Sequence, residues 1–373
     1  MTKLTTRPRV EIVGSFLPPE SLENAISDFK QGRMSEEIFH AAEDSAIDQL
    51  IDREISSGLK IVTDGEMRRK SWDSDFWEGL EGVERQRIDT GYIYQDEPVR
   101  RDLLKFNGRV AYNPEHPFFD KLTHLIELTA GRAEVRQTIP SPGELYMRVI
   151  MISNGEPGKL YPSPDTLIDD IIEAYNLTIK RLYELGCRHI QLDSSVWGRL
   201  SDTYFQRTLL LGGLDPEVIT GHLVSLINGA VAGRPADLEI TLSIAADETR
   251  IPRWDNADDR RHLRRMFSEI DADAFLLPFD INSPAQLEAL EGFPAGKRAI
   301  LGLVDGSRSG LENPADVARA IEMAARFIDP EYISISPTCG FKVADRELQG
   351  LNYETQWSKI DLLNRAADMA VEE

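Results

Sequence analysis

The chain has 373 residues, 41% of them hydrophobic, and its 63 acidic against 42 basic side chains leave a formal charge of −21. That apolar share excludes disorder, and the acid excess, with no long run of Lys or Arg, argues against a nucleic-acid or anionic-membrane partner. No stretch approaches the roughly 18 apolar residues of a membrane span, the start MTKLTTRPRVEIVG lacks a signal-peptide core, and two cysteines are too few for a disulfide framework, so the expected location is the cytoplasm.

In chain order, short β-branched runs recur at Val10 to Gly14, Lys60 to Thr63, Glu134 to Ile139, His189 to Leu192, Glu239 to Ile244, Ala274 to Leu277, Arg298 to Leu303 and Tyr332 to Ser336. Each reads as a strand followed by a segment of helical spacing. In Asp165 to Gly186, Leu167, Ile171, Tyr175, Ile179 and Leu182 fall on one stripe and Gly186 is a natural stop; Asn313 to Ile328 opens with an N-cap Asn and a Pro. Strict alternation over eight units predicts the α/β class and a closed TIM (β/α)8 barrel, with residues 1–373 as one barrel. Residues 77–117, charged, aromatic and turn-rich, break the rhythm and read as a hairpin-like insertion after strand two, folding over one barrel end.

Barrel enzymes carry their reacting groups at the C-terminal strand ends. Those positions hold Gly14, Ser15 and Phe16; Asp64, Glu66, Arg68, Arg69 and Trp72; Ser141; Gln191, Asp193 and Trp197; Ser243, Asp247 and Glu248; Asp280; Asp305; and Cys339. Glu66 and Asp193 stand out, because carboxylates at such ends rarely serve packing. Arg68 and Arg69 read equally as anion binders or as partners of the many acids. Cys187 reads as a small buried filler, His189 as structural at the barrel bottom, and His116 and His124 as surface residues.

The ordered series GSF at 14–16, TDGE at 63–66 with two Arg and a Trp behind it, PSP at 140–142, CRHIQLD at 187–193, AGRPADLEIT at 232–241, LGLVD at 301–305, SISPTCGF at 334–341 and YETQWSKIDLL at 353–363 resembles the cobalamin-independent methionine synthase family, in its short single-barrel form. The resemblance implies methyl transfer from a folate to homocysteine, whose thiolate is held on a zinc ion bound by His, Cys, Glu and Cys. It further implies that Gly14, Ser15 and Phe16 line the substrate carboxylate, that Glu66 and Asp193 meet the α-amino group, and that Trp72 and Trp197 offer faces to a flat group such as a pterin. Ser243 completes this expected substrate-binding set.

The chain departs from that pattern at strand five. Where the family resembles His-x-Cys-Arg-Gly-Asn, this sequence reads Ser243-Ile244-Ala245-Ala246-Asp247-Glu248, and the family's Glu falls near Leu277. Cys339 alone remains as a metal ligand, and one thiolate does not retain zinc. The expected catalytic residues are therefore Glu66, Asp193, Asp247 and Cys339, in a methyl or alkyl transfer involving a thiol or a folate-type co-substrate, with no confident cofactor. A zinc-free lyase, decarboxylase or hydrolase and a non-catalytic amino-acid sensor are the alternatives. The expected partner is a small molecule, and a homodimer follows from base rates alone.

Overall fold

A computed structural model describes residues 3–94, 97–152, 160–244, 251–252, 254, 259–342 and 350–371, with backbone alone over 87–94, 97–103, 152 and 259. The chain runs β1 (Arg9–Val10), α1 (Glu20–Lys30), α2 (Glu36–Ser56), β2 (Ile61–Val62), α3 (Ser74–Trp77), β3 (Glu81–Tyr94), β4 (Glu97–Ala111), α4 (Pro117–Thr129), β5 (Glu134–Pro140) and α5 (Pro142–Ile152). It continues through α6 (Pro164–Glu184), β6 (His189–Asp193), α7 (Ser195–Arg199), α8 (Thr203–Leu211), α9 (Pro216–Ala230), β7 (Glu239–Ser243), α10 (Asp259–Glu269) and β8 (Ala274–Pro278). The last elements are β9 (Arg298–Val304), α11 (Pro314–Ala324), β10 (Ile333–Pro337) and α12 (Tyr353–Ala370). Between β8 and β9 the helix is a short 3₁₀ segment, Pro284–Leu290.

Eight parallel strands follow one another in the order β1-β10-β9-β8-β7-β6-β5-β2, which is chain order around a TIM barrel. The seam lies between β1 and β2, both shorter than expected. There the Thr63 hydroxyl donates to Gly14 O at 2.8 Å and Phe16 N donates to Gly65 O at 3.0 Å, so side-chain and loop bonds close the ring. Period-two alternation sorts each strand into an inner and an outer face. Phe275 and Leu277 join the large core between sheet and helices, whereas Val13, Ala274, Leu276 and Ile300 form a small inner cluster. Leu277, expected beside the site, therefore faces outward. Its neighbour Leu276 faces in, opposite Ser243 in register.

At the barrel bottom the interior is ionic. Arg136, 2% exposed, is paired with Glu11, also 2% exposed, and Arg298 bridges Glu11 and Glu239. His189 stands between Glu134 and Glu239 at this end, as expected of a structural residue. Cys187 is fully buried, its thiol pushed up to about 11 by burial, as expected of a filler.

The region after strand two is an antiparallel hairpin of β3 and β4. It roots against the helix layer: Val110 N donates to the Tyr161 hydroxyl at 2.7 Å, and Arg109 pairs with Asp170 of α6. Below it, Trp77 Nε1 donates to the Tyr175 hydroxyl at 3.0 Å, both side chains being buried. Removing that acceptor in Tyr175→Phe leaves a buried N–H unpaired and is expected to cost about 1–2 kcal/mol, read from denaturant midpoints. His116 corrects its expected surface place. It is 1% exposed, takes a hydrogen bond from Phe118 N at 3.2 Å to cap α4, and faces Phe76 O at 2.9 Å, while burial pushes its imidazole down to about 4. His124 is one-third exposed and meets Asp44. Among the described residues no single helix is long and apolar enough to cross a membrane.

Candidate active site

The turn after β2 is built to present Glu66. Gly65 (φ +62°) and Glu66 (φ +54°) are both left-handed, and a glutamate in that region costs of order 1 kcal/mol, so its surroundings must enforce it. Gly65 N is taken by the Thr63 hydroxyl at 3.1 Å and Glu66 N by Asp64 Oδ1 at 2.9 Å. The Glu66 carboxylate accepts from Thr138 Oγ1 at 2.9 Å and from Arg69 Nη1 at 3.1 Å, both on Oε1. Gly14 lies close against the same carboxylate: a Cβ there would stand 3.2 Å from Glu66 Oε1 and 3.0 Å from Thr138 Cγ2.

Asp193 ends β6 on the inner face, 8% exposed. Its Oδ1 accepts from Gln191 Nε2 at 2.8 Å, two residues back on the same face. Burial pushes its carboxyl up to about 7, the nearby Glu66 charge adds to this, and Gln191, Arg69 and the Ser243 hydroxyl oppose it. A neighbouring pair with such an upper carboxyl can hold one ammonium, or one proton, near neutrality. Ser243 itself is fully buried at the end of β7, paired in register with Asp193.

Across the mouth, Ser15 is locked to the loop after β10. Phe341 N donates to Ser15 O at 3.0 Å and Lys342 N to Ser15 Oγ at 3.3 Å, and a Cβ at Gly340 would fall 2.0 Å from that oxygen. Cys339 is half-buried; burial, followed by the charge of Asp305, pushes its thiol up to about 11. Phe16 corrects its expectation as a substrate-facing side chain. Its ring is fully buried, 5.1 Å from Trp357 and 5.6 Å from Phe341, because the turn at Ser15 swings it into the helix layer. Trp72 is half-buried on the β2 loop, while Trp197, 3% exposed in α7, presents no open face. Asp247 and Glu248 lie outside the described residues.

Neither arginine of the β2 loop is left for an anionic tail. Arg68 pairs with Asp44, and Arg69, 5% exposed, binds Glu66, Thr138 Oγ1 (2.8 Å) and Thr138 O (2.6 Å). Thr138 was not singled out by sequence, although a polar residue two positions before an inward strand end was the available signal.

No family model matches the chain. An uncharacterised protein of Bacillus subtilis, YxjH, is 31% identical over 354 residues, covering 94% of this chain and 92% of that protein. A methionine synthase of Saccharolobus solfataricus is 24% identical over 361 residues, with 93% and 92% covered. The solved structure of a putative vitamin-B12-independent methionine synthase from Listeria monocytogenes superposes with a TM-score of 0.74 at 26% identity over the whole of both chains. The chain belongs to the cobalamin-independent methionine synthase family. A B12-independent methionine synthase from Shewanella, solved with selenomethionine, has the same fold at 18% identity, with a TM-score of 0.68 and 97% of each chain covered.

At the described strand ends Ser243 closes β7, Leu276 and Leu277 lie on either face of β8, and Cys339 follows β10. Among the described residues no three His, Cys, Asp or Glu side chains are grouped to hold a metal ion.

Proposed function

We propose that this chain is a methionine-synthase-like transferase that binds an α-amino acid in its barrel mouth and moves a methyl or alkyl group at that ligand's sulfur without a zinc ion. The observation that carries the reading is the Glu66–Asp193 pair. Two carboxylates converge on one inner face, and Glu66 keeps one oxygen, Oε2, free of hydrogen bonds among the described residues. Such a pair suits a substrate ammonium. Ser15, on the β1 loop beside Glu66, accepts from Lys342 N and donates to Lys342 O at 3.4 Å; turned from that long bond, its hydroxyl serves the α-carboxylate. The Shewanella relative bound to selenomethionine supports an amino acid of this shape.

The donor set supports a zinc-free site. Catalytic zinc needs three protein ligands, and Ser243 in the His position and Ala245 in the first Cys position leave Cys339 as the one ligand of that set. Without a metal to make a thiolate, proton movement falls to the side chains. Asp193, poised near 7, can take the proton of the bound thiol or return it to the leaving group. A folate-type co-substrate is the methyl donor in this reading, and its demethylated form is the leaving group. The same poised carboxyl also serves a zinc-free lyase or decarboxylase acting on an amino acid.

Calorimetry with L-methionine tests the reading. Binding should be measurable with the wild type, and Asp193→Asn should weaken it by about tenfold or more, as loss of a charge-assisted bond to an ammonium does. Absence of binding by both L-methionine and L-homocysteine at millimolar concentration would sink it.

A further inference from the structure

The two carboxylates of the pair are not equivalent. Glu66 is fastened through one oxygen. Thr138 Oγ1 donates to Oε1 while itself accepting from Arg69 Nη2, and Arg69 Nη1 donates to the same Oε1. The guanidinium is spent on this task alone. Its Nη2 also donates to Thr138 O, its plane carries the Phe118 ring 4.9 Å away, and its backbone carbonyl is taken by Lys342 Nζ at 2.9 Å. A backbone held left-handed at Glu66 has little reason to persist in a residue that is only packing. The arrangement joins the β2 loop to the neighbouring strand β5, which pairs in turn with β6, so it also fixes where the carboxylate stands relative to Asp193.

We propose that Arg69 and Thr138 are positioning residues that tie Glu66 Oε1 to the scaffold and aim Oε2 at the substrate ammonium, so that the barrel mouth selects α-amino ligands through this clamp. The inference rests on reading the Glu66–Asp193 pair as an amine site. Two charged neighbours bear on Glu66 besides Arg69: Lys342 from the β10 loop and Asp193 from β6. Neither bonds to Oε1 among the described residues, so the fork of Arg69 is the part that sets orientation. Lysine, with one compact ammonium, cannot reproduce a two-ended hold on Thr138 and Glu66.

The test compares L-methionine with 4-(methylthio)butanoate, which lacks only the amino group. In Arg69→Gln the affinity for L-methionine should fall by about tenfold to a hundredfold, while that for the deaminated compound changes less than about twofold. Arg69→Lys should lie between. A purely structural role would weaken both ligands alike, and that outcome overturns the proposal. Thr138→Val removes one donor without removing a charge and should show the same selective loss, smaller in size; it serves if Arg69→Gln does not fold. If the wild type binds neither ligand, the amino-acid reading fails by itself. The clamp is then judged from a crystal structure of ligand-free Thr138→Val or Arg69→Gln, in which the Glu66 carboxylate must leave its place beside β5; an unmoved carboxylate overturns it.

Discussion

Purified without chelators, the protein is expected to carry less than about a tenth of an equivalent of zinc, and the double variant Ser243→His/Ala245→Cys close to one. The argument is one of ligand count. A catalytic zinc is held by three protein ligands and a water, so two substitutions joined to the native Cys339 reach the threshold that one thiol does not. Position 243 ends an inward-facing strand, where a histidine ring would enter the mouth beside Asp193, in register across β6 and β7. Metal binding would also invert the state of Cys339. Burial and Asp305 now keep its thiol protonated, whereas a coordinated thiol is deprotonated outright. Elemental analysis with ultraviolet thiolate-to-cobalt bands after cobalt substitution reads both effects. Stoichiometric zinc in the wild type would show that residues beyond those described, Asp247 or Glu248 among them, complete a site, and would remove the zinc-free mechanism.

The sequence made the barrel legible because its strands are buried on both faces and separated by amphipathic helices, a pattern that survives reading without a structure. Strands β5 to β10 lie within a residue or two of their expected limits, and the break after strand two is the β3–β4 hairpin. What local pattern could not give was the face. Leu277 and Leu276 differ by one position, and a period of two sends them to opposite sides of the sheet. Phe16 follows Ser15 directly yet leaves the mouth for the core, where Trp357 of the last helix meets it, a contact between residues over 300 positions apart. Arg69 and Thr138, 69 positions apart, meet because β2 pairs with β5, strands that the β3–β4 hairpin and α4 separate in sequence. His116 follows a polar, turn-rich stretch, and its burial comes from a capping bond to α4 and from Phe76, neither visible as a motif. Glu66 and Asp193, by contrast, stood out as carboxylates at strand ends, and the structure brings them together.

Asp193→Asn is expected to be more stable than the wild type above neutral pH, even as it loses its ligand. The folded carboxyl is pushed up to about 7, against roughly 3.9 in an unfolded chain. Below about pH 4 both states hold the proton and Asp193 exerts no penalty. As pH rises from there, the unfolded chain releases its proton first, and each unit removes about 1.4 kcal/mol of stability until the folded group also ionises near 7. The cumulative loss is on the order of a few kcal/mol, constant at higher pH. Asparagine keeps an oxygen for Gln191 Nε2 and has no charge to bury beside Glu66, so this pH-dependent loss should vanish in the variant. Urea midpoints at pH 5 and pH 8 check it: the wild type should lose stability between them and the variant should lose less. Equal slopes would mean that Asp193 titrates as an ordinary carboxyl. L-methionine supplies a cation to the ionised pair, so it should stabilise the wild type more at pH 8 than at pH 5, and Asp193→Asn less than the wild type with no such rise. The instability is thus the condition for binding: two acids held close without a cation are a site waiting for an ammonium.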